Sequence, residues 1–221
     1  MKDNLLIVSP HADDEILGCG GTILKYKSLN NIQWLMCTKM KTSDGYSIAT
    51  INKRSQEINF IKKKLGVKKF INLDISPKKI EDIANYNLIE KFEKVLKQFK
   101  SNIIYLPYNF DIHSDHQIVT NNFIKCLKWF RYKYVKKILL YETLSETNFN
   151  FTSPVFRPNI YENIALYLEE KIKLFKSYKL EIGDFPFPRS HETIRSLAKL
   201  RGSESGYNAA EGFKLVYSRN D

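Results

Sequence analysis

Apolar residues in this chain gather in short runs of strand length, separated by longer stretches with helical spacing. Leu5-Leu6-Ile7-Val8, Ile32 to Cys37, Phe70 to Leu73, Ile103 to Leu106 and Ile138 to Tyr141 are bounded runs of the kind found in strands covered on both faces. Between them, Ile58, Ile61 and Leu65 keep a helical spacing that stops at Gly66, and Leu88, Phe92, Val95, Leu96 and Phe99 form a clean amphipathic stripe. Val119, Phe123, Cys126, Leu127 and Phe130 mark a third apolar face, with Trp129 and Phe130 continuing that helix. This alternation predicts an α/β fold, a Rossmann-like three-layer α/β/α sandwich with a mostly parallel sheet and right-handed crossovers. Ligands of such sheets bind beyond the carboxyl ends of the strands, so residues just after a strand carry the most weight.

After Tyr141 the pattern changes. A polar stretch from Glu142 to Asn159 precedes a helix carrying Ile164, Leu168, Ile172 and Phe175, then a Pro-rich turn, Phe185-Pro186-Phe187-Pro188. Ser190 is placed to N-cap a helix with Ile194, Leu197 and Ala198, and Phe213 to Tyr217 reads as a closing strand. With no repeat, low-complexity tract or linker, the chain reads as one domain over 1–221. Residues 1–141 form the core sheet, and 142–221 supply the rim and completing elements.

Composition narrows the classes. At 221 residues, 43% hydrophobic and 27% charged, the chain is long and apolar enough to bury a core and is far from a disordered composition. No apolar run reaches the roughly 18–20 residues a bilayer span needs, and the first residues lack the features of a signal peptide, so a cytoplasmic location is expected. Cys19, Cys37 and Cys126 are widely spaced with no CxxC, which argues against a disulfide framework or a cysteine zinc site. Lysine and arginine number 35 against 24 aspartate and glutamate, a net charge of +11. That balance raises a nucleic-acid-binding module as the alternative reading, carried by Lys62-Lys63-Lys64, Lys68-Lys69 and the basic aromatic stretch from Lys128 to Tyr134. Nucleic acid is nevertheless not expected as a partner, because Trp129 and Phe130 continue an amphipathic face and the lysines follow a general Lys, Asn and Ile bias.

The candidate chemistry is concentrated. Three of the four histidines fall in two acidic clusters: Pro10-His11-Ala12-Asp13-Asp14-Glu15 after the first strand, and Asp111-Ile112-His113-Ser114-Asp115-His116 after the strand ending at Leu106. Imidazole and carboxylate together suit Zn²⁺, and a catalytic zinc site uses three protein ligands with one open position. Either cluster alone could be a loop cap or a surface ion pair; two at the ends of neighbouring strands can converge on one point. The Gly18-Cys19-Gly20-Gly21 stretch reads as a tight strand-to-helix junction that also permits close backbone packing beneath the site.

These residues resemble a known family. Pro10-His11-Ala12-Asp13-Asp14-Glu15 is similar to the PHPDDE signature of the PIG-L/LmbE-like de-N-acetylases, and His113-Ser114-Asp115-His116 resembles that family's HxDH motif. Arg54-Ser55-Gln56-Glu57 with Leu65-Gly66-Val67 is similar to its RxxE helix ending in LGV. Leu197 to Gly202 with Ala210-Glu211-Gly212-Phe213 resembles its RG…AEAF segment.

The resemblance implies His11, Asp14 and His116 as ligands of zinc or another divalent transition metal, and Asp13 as general base. It further implies His113 as an imidazolium facing the developing oxyanion, with Asp115 fixing its orientation. Arg54 is read either as a substrate contact or as a helix partner of Glu57, and Glu15 as a ligand contact or a support for the site. Arg189 and His191 are expected on an exposed rim, where they could meet an anionic group.

The implied activity is hydrolysis of an N-acetyl group on a small-molecule amino-sugar conjugate, or, as a variant of that reading, of another N-acyl group by an amidase of the same family. The +11 charge leaves open that an anionic conjugate is drawn in. Departures from the family pattern are Ala12 for the usual proline, the wording of the Thr38 to Gly45 loop, and Tyr178-Lys179-Leu180-Glu181 where many members have YxSQ. These loops are expected to shape substrate choice. The sugar, its aglycone and the oligomeric state are left open.

Overall fold

In the computed structural model, which describes residues 2–77, 79–152 and 154–220, strands form where the bounded apolar runs lie. The chain runs β1 (Asn4–Ser9), α1 (Asp14–Tyr26), β2 (Asn31–Thr38), α2 (Ile48–Lys64), β3 (Val67–Ile75), α3 (Asn85–Phe99), β4 (Ile103–Pro107) and α4 (Ser114–Cys126). It continues with β5 (Lys137–Tyr141), β6 (Ile160–Asn163), α5 (Leu168–Phe175), α6 (His191–Ser205) and β7 (Ala210–Ser218). The seven strands form one sheet in the order β3-β2-β1-β4-β5-β7-β6. The first five pair in parallel, whereas β7 runs antiparallel to both β5 and β6.

Alternation along β1 shows the three layers. Leu5 and Ile7 pack into the core beneath α1, α2, α5 and α6, while Leu6 and Val8 pack into the core beneath α3 and α4. The chain moves outward from β1 to β2 and β3, then crosses to β4 on the other side of β1. The carboxyl ends of β1 and β4 therefore flank the switch point where an open α/β sheet has its crevice.

Two local expectations are corrected, and two elements go beyond what the pattern marked. Gly18, Gly20 and Gly21 lie inside α1 rather than in a turn before it. Mid-helix glycine costs about 1 kcal/mol relative to alanine, but a Cβ on Gly18 would sit 2.2 Å from the Tyr141 ring and one on Gly21 would sit 2.7 Å from Ile164. Close packing of α1 on the sheet outweighs propensity there. Helix α4 stops at Cys126, so Trp129 and Phe130 leave the helix and stand 60% and 57% exposed. A turn closed by the amides of Arg131 and Tyr132 on the Lys128 carbonyl takes over. Helix α2 begins well before Ile58, at Ile48, because the Ser47 hydroxyl accepts the Thr50 amide at 3.1 Å as an N-cap. The four-residue β6 lies beyond the polar stretch and enters the sheet only by pairing with β7.

The C-terminal motif braces the fold. Glu211 of β7 accepts the amides of Gly21 and Thr22, both at 2.8 Å, and Lys171 of α5 bonds both Glu211, at 2.7 Å, and the Leu17 carbonyl, at 2.8 Å. Arg201 forks onto Glu142 at 2.7 and 2.6 Å. Cys19, Cys37 and Cys126 are free and buried, and among the described residues no helix is long and apolar enough to cross a membrane.

Candidate active site

Two loops at the switch point bring the clusters together. The β1–α1 loop is pinned by Thr38, whose amide and hydroxyl both bond the Pro10 carbonyl, at 3.0 and 2.8 Å. The β4–α4 loop ends at His113, the N-cap of α4, and Thr120 ties that helix back to the Pro107 carbonyl at 2.9 Å. The rings of His11, His113 and His116 then lie with centroids 4.5–5.6 Å apart.

His11, Asp14 and His116 offer ligand atoms within 4.8 Å of one another. His116 is fully buried, and its Nδ1 bonds Asp111 at 2.8 Å. Its Nε2 faces Asp14 Oδ1 at 3.4 Å and has no hydrogen-bond partner. A carboxylate behind a histidine that presents its other nitrogen inward is the usual support of a metal ligand. Asp14 Oδ2 accepts the His11 amide at 2.8 Å, which fixes the carboxylate relative to its own loop.

A second grouping, His11, His113 and Asp115, is equally close. Its atoms are already spent: Asp115 Oδ2 bonds His11 Nε2 at 2.9 Å, and His113 Nδ1 accepts the Asp115 amide at 3.2 Å. The orphaned His116 nitrogen makes the first set the better fit for a divalent cation.

The protonation pattern carries the same demand for positive charge. Burial works against charge on His11, yet its hydrogen bonds to the Asp115 and Asp14 carboxylates raise its pKa to about 9. Burial likewise opposes charge on His116, and Asp14 and Asp111 push its pKa well up. Burial would raise Asp14, but the charge of His116 and the bonds to both histidines hold it below the usual carboxylate range. Protons held here are what a divalent metal displaces.

Asp13 stands apart from this set. Its φ of 146° is rare for a residue with a side chain, and it is held there by its amide bonding Glu15 Oε2 at 3.0 Å and its carbonyl capping Ile16 and Leu17, both at 3.0 Å. Burial, then the neighbouring charges of Asp14 and Glu181, raise its pKa to about 7 against the pull of Arg189. Arg189 bonds Asp13 Oδ2 at 2.9 Å and Glu181 at 3.1 Å. Glu181 also pairs with Arg54, which bonds the Ala12 carbonyl at 3.0 Å and stands 3.5 Å from Glu57. Arg54 thus lines the cavity and also pairs within its helix.

The remaining placements differ from expectation in part. Glu15 is 1% exposed, with one oxygen on the Asp13 amide and the other accepting the Tyr178 hydroxyl at 2.6 Å, so it braces the loop and does not line the cavity. The Asp115 carboxylate engages His11 in place of His113; its backbone amide orients His113 instead. Burial, then the charges of His11 and His116, push the His113 pKa down to about 4, which favours the neutral ring over the expected imidazolium. Its Nδ1 accepts a bond, which leaves the proton of the neutral ring on Nε2. Arg189 is drawn into the site, whereas His191 stays on the rim beside Glu192.

The cavity has a volume of about 740 Å³. Glu181 and Arg189, which line it, were not assigned by motif, and neither were Tyr178 as the partner of Glu15 nor Asp111 as the partner of His116; Thr147, 2.6 Å from Asp111, gave no signal at all. Five carboxylates line the cavity against three lysine or arginine side chains, Lys39, Arg54 and Arg189. The basic balance of the chain thus does not extend into the site.

The profile of the PIG-L family, described as GlcNAc-PI de-N-acetylase, matches residues 6–127. The chain belongs to this family. Diacetylchitobiose deacetylase of Thermococcus kodakarensis is 24% identical over 231 residues, covering 96% of this chain and 82% of the relative. Among solved structures, N,N'-diacetylchitobiose deacetylase from Pyrococcus horikoshii superposes with a TM-score of 0.79 at 19% identity, over 97% of this chain and 84% of that one. The 4-carboxy-2-hydroxymuconate hydratase GalB of Pseudomonas putida gives 0.73 at 16% identity, over 100% and 98%. At these identities the superpositions establish a shared fold, and one fold serves more than one chemistry. What this PIG-L member does has to be argued from its site.

Proposed function

We propose that this chain is a metal-dependent de-N-acetylase that hydrolyses the N-acetyl amide of an amino-sugar conjugate. The observation that carries the reading is the buried, unpartnered Nε2 of His116 facing Asp14, next to a separate carboxylate, Asp13, whose pKa lies at about 7. Family membership and the chitobiose deacetylases among the relatives supply the substrate class.

His11, Asp14 and His116 would hold the metal, and Zn²⁺ there supplies polarisation of the amide carbonyl and a lowered pKa for water. Asp13, close to half ionised at neutral pH, takes the proton of the attacking water as its oxygen bonds the acetyl carbon. The same carboxyl returns that proton to the nitrogen as the C–N bond breaks, giving acetate and the free amine. Arg189 holds the Asp13 carboxylate in place. Neutral His113 donates its Nε2 proton in a hydrogen bond to the carbonyl oxygen as negative charge grows there, a role that does not need an imidazolium.

A nucleic-acid-binding reading leaves this acidic cavity without a use. The test is acetate release from N-acetylglucosaminides by the zinc-loaded protein, with activity abolished by chelation and restored by Zn²⁺. Full turnover by metal-stripped protein, or hydration of an alkene with no amide hydrolysis, overturns the reading.

A further inference from the structure

The cavity has two unlike ends. At one lie the histidines and Asp13; the other opens between α2 and the carboxyl ends of β2 and β3. Ile51, Arg54, Ser55 and Ile58 fall on one face of α2, with spacings of three and four residues, and this face looks across the cavity toward Phe70 and Met36. Phe70 is fixed in place, with the Trp34 ring 5.0 Å from its centroid and the Lys62 ammonium 4.3 Å over its face.

Several polar groups at this end are turned onto the protein itself. The Ser55 hydroxyl donates to the Ile51 carbonyl at 2.9 Å, and Asn72 Oδ1 accepts the Asp74 amide at 2.8 Å. Lys39 pairs with Asp74 at 3.4 Å, and Lys41 donates to the Asp74 carbonyl at 2.6 Å. Arg54 and Arg189 are held by Glu181, Ala12 and Asp13. No lysine or arginine lining this cavity lacks a partner among the described residues.

We infer that this distal end receives an uncharged, apolar aglycone, an aryl or short alkyl group carried by the amino sugar, and that Ile51, Ile58 and Phe70 select it. The inference rests on the deacetylase reading above. A volume of about 740 Å³ is more than one N-acetyl sugar fills and lies within the roughly 300–1,000 Å³ of sites that enclose a larger ligand. A phosphate placed here would have to displace the carboxylates already paired with Lys39 and Arg54 to gain a cation of its own. An apolar group releases water from Ile51, Ile58 and Phe70 and disturbs no ion pair. This replaces the expectation that the chain's positive charge draws in an anionic conjugate.

The experiment compares three probes on the zinc-loaded protein: phenyl and methyl 2-acetamido-2-deoxy-β-glucopyranoside, and N-acetylglucosamine 1-phosphate. Acetate release gives kcat/KM, and calorimetry gives Kd whether or not turnover occurs. The phenyl glycoside should exceed the methyl glycoside by at least about tenfold in both, the size expected for burying one aromatic ring, and the phosphate should fall below both. Ile58→Asp should bring the phenyl-to-methyl ratio close to one. Ile51→Ser, at a half-exposed position, should do the same in part and serves if the first variant fails to fold. Equal handling of phenyl and methyl, or preference for the phosphate, overturns the inference while leaving the deacetylase reading intact. Absence of acetate from all three, with phenyl still bound more tightly than methyl, overturns the deacetylase reading and upholds the compartment's preference.

Discussion

His116 turns its Nε2 toward Oδ1 of Asp14 at 3.4 Å and finds no other partner there, because its Nδ1 is committed to Asp111 at 2.8 Å. That division of the ring makes Asp111 the residue that aims His116. Asp111→Asn keeps the shape and an acceptor oxygen but removes the charge behind the ring. Zinc affinity should fall by about 10–100-fold, the usual effect of such outer partners, while His116→Ala should abolish stoichiometric binding. Competition against a chromophoric chelator measures both, and wild-type affinity in either variant contradicts the assignment.

Asp13 lies next to Asp14 in sequence but serves a different end. Its carboxylate bonds Arg189 and takes no part in the group formed by His11, Asp14 and His116. Asp13→Asn should therefore retain one metal per chain and lose turnover by about 10²–10⁴, the range for a positioned acid–base group. Metal analysis alongside single-turnover acetate release separates the two effects. Loss of metal together with activity would make Asp13 a ligand.

Arg189 sets where Asp13 titrates. Its guanidinium favours the carboxylate form, working against burial and the charges of Asp14 and Glu181, which raise the pKa to about 7. Arg189→Ala removes the favourable charge, so the Asp13 pKa should rise above about 7. Since the base acts as the carboxylate, the acidic limb of kcat/KM against pH should move to higher pH and the loss of activity should be greatest below neutrality. Arg189→Lys, which keeps the charge, should restore much of the wild-type profile. A rate loss equal at all pH values would show that Arg189 only positions the loop.

What could be read from the sequence follows from range. Four of the five parallel strands were legible because both faces are buried, so their runs are almost continuously apolar between turn residues, whereas β3, at the sheet edge, is only partly buried and showed as the shorter run from Phe70 to Leu73. His11 and His116 stood out because histidine is scarce and both follow strands whose ends share the crevice. Arg189 did not, since its bond to Asp13 joins residues 176 positions apart and a Pro-rich turn looks like surface. The family resemblance assigned Asp115 to His113, yet its side chain crosses to His11 on the other loop. Trp129 and Phe130 keep the helical spacing of α4, but the helix ends at Cys126 and spacing alone gave no sign of it.

Gly18 is where packing and propensity can be set against each other directly. In an exposed helix, Gly→Ala stabilises by about 1 kcal/mol. At Gly18 the added methyl would meet the Tyr141 ring at 2.2 Å, and that ring is fully buried with its hydroxyl on the Val8 carbonyl at 2.9 Å, so it has nowhere to move. Overpacking of this kind costs about 1–3 kcal/mol and also pushes α1, with Asp14 in its first turn, away from the sheet. Gly18→Ala should therefore be destabilising in urea unfolding and should weaken zinc binding. Gly20→Ala meets the Lys171 stem at 3.2 Å and Ile16 at 3.3 Å, contacts that a shift of a few tenths of an ångström would relieve, so it should cost less than Gly18→Ala. If Gly18→Ala were as stable as wild type, the close seating of α1 on β5 would be wrong, and with it the reason three glycines occupy one helix.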